Sequence, residues 1–131
     1  QQFSLDIAKA YPREAQVQRW VRRYRLSGTT VYLEDDFVLE AAKKPNQVHF
    51  LSWAKPDTST PGAIRLWRNG HEIILYYAAR TFEVTVEPIK ITDSRLSSVW
   101  GTQIYQIVLK EKQLGKKGRY RFRIDASIET N

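Results

Sequence analysis

The sequence contains no cysteine. That absence excludes disulfide scaffolds, CxxC redox chemistry, thiolate zinc sites and cysteine nucleophiles together. At 131 residues the chain needs no such staple, because a domain of this size buries roughly two-thirds of its unfolded surface. Methionine is also absent, and the chain opens Gln1-Gln2-Phe3. The expectation is an excised piece of a longer protein or a processed form, with any signal peptide left upstream. No apolar run approaches the ~18 residues that a membrane-spanning helix requires, so no membrane partner is expected. Six glycines and five prolines are too few for collagen-like or linker material. A hydrophobic content of 42% excludes a disordered tail.

What is abundant is positive charge. Lys+Arg 21 against Asp+Glu 14 leaves a net +7, so a polymeric partner is expected to be an anion. Nucleic acid has the right sign, but no RRM, OB or zinc-finger signature is present, and nucleic acid is not expected as the partner. The length predicts one domain over residues 1–131, with residues 1–16 as an irregular lead-in from a preceding domain.

The dominant hydrophobic period is two. Val31, Leu33, Phe37 and Leu39 fall on one parity, and Tyr32, Glu34, Asp36 and Glu40 on the other. Phe82, Val84 and Val86 alternate with polar residues, as do Tyr120, Phe122, Ile124, Ala126 and Ile128. Such alternation marks strands with one face in a core and one in water. Further strands are predicted over Val17–Leu26, Gln47–Ala54, Ala63–Arg68, Glu72–Ala79 and Gln103–Lys110. The predicted fold is all-β, an antiparallel β-sandwich of about eight strands with minimal helix. Asn69-Gly70 predicts a tight type I′ hairpin. Residues 56–62 read as a loop and 115–118 as a turn. Two short helical turns are expected, one opened by Pro12 and one capped by Asp93.

Candidates for chemistry are few. His49 and His71 lie in different elements without HxH or HxxxH spacing, so no metal is expected, and His49 reads as solvent-facing or hydrogen-bonded along its strand. Asp35-Asp36 resembles a dyad only in print, because neighbours on a strand point to opposite faces. Asp35 falls on the apolar parity, so it is expected to pair with an arginine or to sit at a bulge. No GxSxG or phosphate-binding glycine loop is found, and no catalytic residue or cofactor is assigned. The informative pattern is arginine. Arg19, Arg23 and Arg25 share one parity of an early strand, and Arg119, Arg121 and Arg123 share one parity of the last. The planar guanidinium suits sulfate, carboxylate and phosphate oxygens, so these six are the candidate anion-binding residues. The alternative reading is a charged strand face that only maintains solubility. The tryptophans, Trp20, Trp53, Trp67 and Trp100, could stack on sugar rings, although at least two of the four are expected in the core.

Several stretches carry a resemblance. Ala10-Tyr11-Pro12-Arg13-Glu14-Ala15 leads into Val17–Leu26, followed by Leu33-Glu34-Asp35-Asp36-Phe37, Val48-His49-Phe50-Leu51 and Asp93-Ser94-Arg95-Leu96-Ser97-Ser98-Val99-Trp100-Gly101. In this order they resemble the C-terminal β-sandwich region of the heparinase II/III-like polysaccharide lyases. The resemblance implies a parent enzyme with an α-helical catalytic toroid, periplasmic or secreted, that cleaves heparan sulfate- or alginate-like uronic-acid glycans by β-elimination. None of that family's catalytic residues matches a position here. The resemblance therefore implies a non-catalytic domain, inactive alone, that supports the toroid and contacts anionic glycan. The alternative is a free-standing carbohydrate-binding module using exposed tryptophan and arginine.

Overall fold

In the computed structural model, residues 1–101 and 103–128 are described, apart from the side chains of residues 9, 14, 99, 100, 127 and 128. The described chain is an antiparallel β-sandwich. Its strands are β1 (Gln2–Asp6), β2 (Val17–Ser27), β3 (Thr30–Leu39), β4 (Gln47–Ser52), β5 (Asp57–Thr60), β6 (Ala63–Arg68), β7 (His71–Tyr76), β8 (Phe82–Lys90), β9 (Gln103–Glu111) and β10 (Lys117–Ile128). One sheet has seven strands in the order β1-β2-β3-β10-β7-β6-β5, and the other has three in the order β4-β9-β8. The single α-helix among the described residues, α1 (Ser94–Trp100), is capped by the Asp93 carboxylate, which accepts from the backbone N–H of Arg95 at 2.8 Å.

The expected strands are present, with two more. Both additions are edge strands: β1 lies inside the lead-in expected to be irregular, and β5 inside the expected 56–62 loop. All residues of β1 and β5 are exposed. Such strands are held by pairing rather than by a buried face, which leaves little alternation to read. The lead-in also carries a 3-10 turn over Arg13–Ala15, with Pro12 one position before it. The Asn69-Gly70 hairpin forms as expected. Both residues have positive φ, 53° and 78°, and Arg68 pairs with His71 across a two-residue loop.

The core lies between the two sheets. Trp20, Leu33, Phe37, Tyr120 and Phe122 come from the middle of the large sheet, and Val48, Phe82, Ile107 and Leu109 from the small one. A bulge between Val17 and Arg19 resets the parity of β2, so Val17 and Trp20 both contribute to that core although they are three residues apart. Aromatic rings bridge the layers: Trp20 stacks on Phe37 at 4.9 Å, Phe37 meets Tyr120 at 4.8 Å, and Tyr120 meets Phe82 of the small sheet edge-on at 4.8 Å. Pairs of this kind add about 0.5–1.5 kcal/mol each beyond the area they bury. The inner face also carries one fully buried charge among the described residues. Asp35 is fully buried and takes two hydrogen bonds from Arg22, so of the two sequence expectations the arginine partner is the one realised.

Of the three tryptophans whose side chains are described, only Trp20 is in the core; Trp53 is 44% exposed and Trp67 51%. Trp100 falls outside the described side chains. The expectation of two core tryptophans therefore rests on one. The other two occupy the open end of the sandwich and the outer face of the large sheet, where sheet-on-sheet packing does not reach.

Candidate anion-binding face

The strand order decides how the arginines meet. β2 and β10 are not neighbours, because β3 runs between them. All six candidate arginines nonetheless share the outer face of the seven-stranded sheet, in two columns either side of β3. The register sets them in rows across the strands. Arg25, Tyr32, Arg123 and Tyr76 form one row. Arg23, Glu34 and Arg121 form the next, then Val21, Asp36 and Arg119, and finally Arg19, Val38 and Lys117. Rows repeat roughly every 6.5–7 Å along the strands, and adjacent strands lie about 4.8 Å apart.

In the two middle rows, two carboxylates largely offset three arginines. Glu34 lies 3.2 Å from Arg121, 3.5 Å from Arg119 and 3.7 Å from Arg23. Asp36 accepts from Arg119 at 2.8 Å and also from Arg23. These contacts hold the Asp36 carboxyl below its ordinary value, the Arg119 hydrogen bond most, against the raising effect of burial, and the Arg23 bond next. The same pair raises the Arg119 guanidinium above its ordinary value. Part of what the sequence offers as an anion-binding set is thus an internal ion-pair lattice.

The outer rows differ. In the Tyr32 row, the Arg25 guanidinium lies over the Tyr32 ring at 4.0 Å and the Arg123 guanidinium over the Tyr76 ring at 4.2 Å. A guanidinium resting on an aromatic face gains cation–π attraction and keeps N–H donors for an acceptor. Arg25 pairs with no carboxylate among the described residues, and Arg123 meets only Asp125, at 3.3 Å. Arg19, in the far row, likewise has no carboxylate partner among the described residues. A depression of about 290 Å³ opens on this face, lined by Arg23, Arg25, Tyr32 and Arg121 among others. Further along the face, Trp67 stands on the same side as Arg65, beyond the Tyr76 row.

The tyrosines of this face and the interleaved carboxylates were missed by reading the arginines alone. Tyr32, Glu34 and Asp36 lie on the polar parity of their own strand, which was visible. That this parity would be sandwiched between the two arginine columns depends on the pairing of residues about 90 positions apart.

The histidines do not join the face. His49 is exposed on the small sheet, with Nε2 2.9 Å from Gln47 and Nδ1 2.7 Å from Gln106, as a hydrogen-bonded strand histidine was expected to be. Among the described residues no group of three His, Cys, Asp or Glu side chains could hold a metal ion. No helix among them is long and apolar enough to cross a membrane. Compared with known proteins, the chain matches no protein-family model and no curated sequence.

Proposed function

We propose that this chain is a non-catalytic β-sandwich of a heparinase II/III-like polysaccharide lyase, and that it contacts an anionic, uronic-acid-containing glycan through the outer face of its large sheet. The observation that carries the glycan contact is the row Arg25–Tyr32–Arg123–Tyr76, in which two guanidinium groups rest on aromatic rings. Aromatic faces suit the apolar side of a pyranose, and guanidinium forks suit its carboxylate or sulfate. The parent enzyme, its helical catalytic toroid as intramolecular partner and a periplasmic or secreted location follow from the sequence resemblance. The exposed Trp67 on the same face favours a second reading, a free-standing carbohydrate-binding module. A reading frame with several hundred helically patterned residues upstream supports the first reading; one starting at a signal peptide just upstream supports the second.

The test is elution from heparin. Arg25→Gln/Arg123→Gln removes two charges from the face, and Lys43→Ala/Lys44→Ala removes two exposed charges elsewhere. The arginine variant is expected to elute at clearly lower salt than the lysine variant. It should also lose about one unit of log–log salt slope per guanidinium, by analogy with phosphate binding. Equal losses reduce the face to a diffuse positive field and overturn the site. Incubated alone with heparin, heparan sulfate or alginate, the chain is expected to produce none of the ultraviolet absorbance of an unsaturated uronate. Turnover by a clean sample overturns the non-catalytic assignment, since elimination needs a positioned base and charge stabilisation together.

A further inference from the structure

We propose that the cleft at the open end of the sandwich binds an amphiphilic anion, an apolar body carrying one carboxylate or sulfonate. The cleft encloses about 1040 Å³, at the upper end of the range for small-molecule sites. Leu66 and Ile73 of the large sheet form one wall; Leu51 and Trp53 at the end of β4, with Ile89 of β8 and Leu96 of α1, complete it. Five of these six are at least a third exposed: Leu51 67%, Leu96 52%, Trp53 44%, Ile73 39% and Ile89 36%. Large apolar side chains gathered this way mark a surface that is covered in use.

The rim supplies the sign. Arg68 and Lys90 stand at the cleft, and neither pairs with a carboxylate among the described residues. Arg68 is held with its guanidinium 4.7 Å over the Trp53 ring, so its position is set before a ligand arrives. Asp93 is the acidic residue of the lining, and its carboxylate is already engaged by the Arg95 backbone N–H at 2.8 Å and the Arg95 guanidinium at 3.6 Å. The uncompensated charge at the mouth is therefore positive, above aliphatic and indole walls. A cationic amphiphile is repelled there and an uncharged one leaves both rim cations unused, whereas an acyl or aryl carboxylate satisfies walls and rim together. This site lies apart from the arginine rows and does not depend on the glycan reading.

The test uses dodecanoate, with dodecyltrimethylammonium as the chain-matched cation, both below micelle formation and followed by tryptophan fluorescence. Saturable binding of dodecanoate at least tenfold tighter than of the cation is expected. Arg68→Gln/Lys90→Gln should weaken dodecanoate about three- to tenfold while leaving the cation's affinity unchanged or improved. Ile73→Glu/Leu96→Glu, at two exposed positions, should abolish binding without lowering the salt needed for heparin elution beyond that expected from the added charge. Lys43→Ala/Lys44→Ala should leave dodecanoate binding unchanged. Equal affinity for the two amphiphiles, absence of saturation, or a concentration-dependent dimer abolished by Ile73→Glu/Leu96→Glu each overturns the proposal, the last by assigning the cleft to a second copy of the chain.

Discussion

Arg22 and Asp35 face each other across β2 and β3 on the inner side of the large sheet, joined by two parallel hydrogen bonds of 2.8 and 2.9 Å. Asp35 is fully buried, whereas the Arg22 side chain retains 26% exposure. The pair is thus a carboxylate brought inside and a cation that reaches it from the margin. The Asp35 hydrogen bond raises the Arg22 guanidinium above its ordinary value, against the opposing effect of burial. Removing one partner leaves a buried charge uncompensated, which typically costs about 3–5 kcal/mol. Arg22→Met is therefore expected to lower the urea midpoint sharply, and Arg22→Met/Asp35→Leu to recover most of that loss. If the double variant is no more stable than the single, the pair is not the source of the cost.

Tyr120 is the second test. Its buried hydroxyl donates to Glu111 at 2.5 Å and accepts from Asn46 at 3.0 Å, tying β10 to the end of β9 and the start of β4. Burial first, and the hydrogen bond to Glu111 second, push the phenol well above its ordinary value. The unfolded chain ionises this tyrosine near the ordinary value of 10.0 while the folded chain keeps it protonated. Its contribution is therefore complete below that pH and is lost as pH rises beyond it. Tyr120→Phe should cost about 1–3 kcal/mol at neutral pH by stranding its partners, and the gap to wild type should narrow in alkaline denaturation curves. A constant gap contradicts the linkage.

Gly118 tests close packing. A Cβ there would stand 3.0 and 3.2 Å from two ring carbons of Phe37. Phe37 is itself clamped between Trp20 and Tyr120, so it has little room to yield. Gly118→Ala is expected to destabilise by about 1–3 kcal/mol through overpacking. A variant as stable as wild type in thermal unfolding would mean that the aromatic stack gives way more easily than its contacts imply.

The outer face has an acid limit. Asp36 is held below its ordinary value of 3.8 chiefly by Arg119. A depressed carboxylate stabilises the fold above its unfolded value, and that contribution is lost as pH falls through the folded one. Stability should fall with a dependence on Asp36 below about pH 4, and Asp36→Asn should flatten that part of the curve while leaving the slope near neutrality unchanged. An unchanged acid limb in the variant rules this out.

Much of the fold was legible because alternation reports faces directly. Leu33, Asp35 and Phe37 share a parity, and the structure puts all three inside, the charge included. The same parity rule placed the six arginines on strand faces correctly. It could not say which strands lie side by side, since that is settled by loop closure and core packing over long separations. The insertion of β3 between β2 and β10, and with it the Glu34 and Asp36 lattice, was therefore invisible. So was the cleft, which is assembled from chain segments around Leu51, Ile73 and Leu96. β5 was missed for a different reason: Asp57-Thr58-Ser59-Thr60 has no apolar residue to set a period.

The ion-pair lattice gives the outer face a direction. An anion arriving at Arg119 or Arg23 meets a guanidinium already held by a carboxylate, so contact there is an exchange in which one acceptor leaves as another enters. At Arg25 nothing has to leave. Two sites with the same formal charge thus differ in what they demand of a visitor. Under the proposed glycan reading, a long polyanion gains most over the Tyr32 row, because its path over Glu34 and Asp36 runs against two resident negative charges. In that reading sheet register, more than the total of seven excess positive charges, sets where along this surface an anion would come to rest.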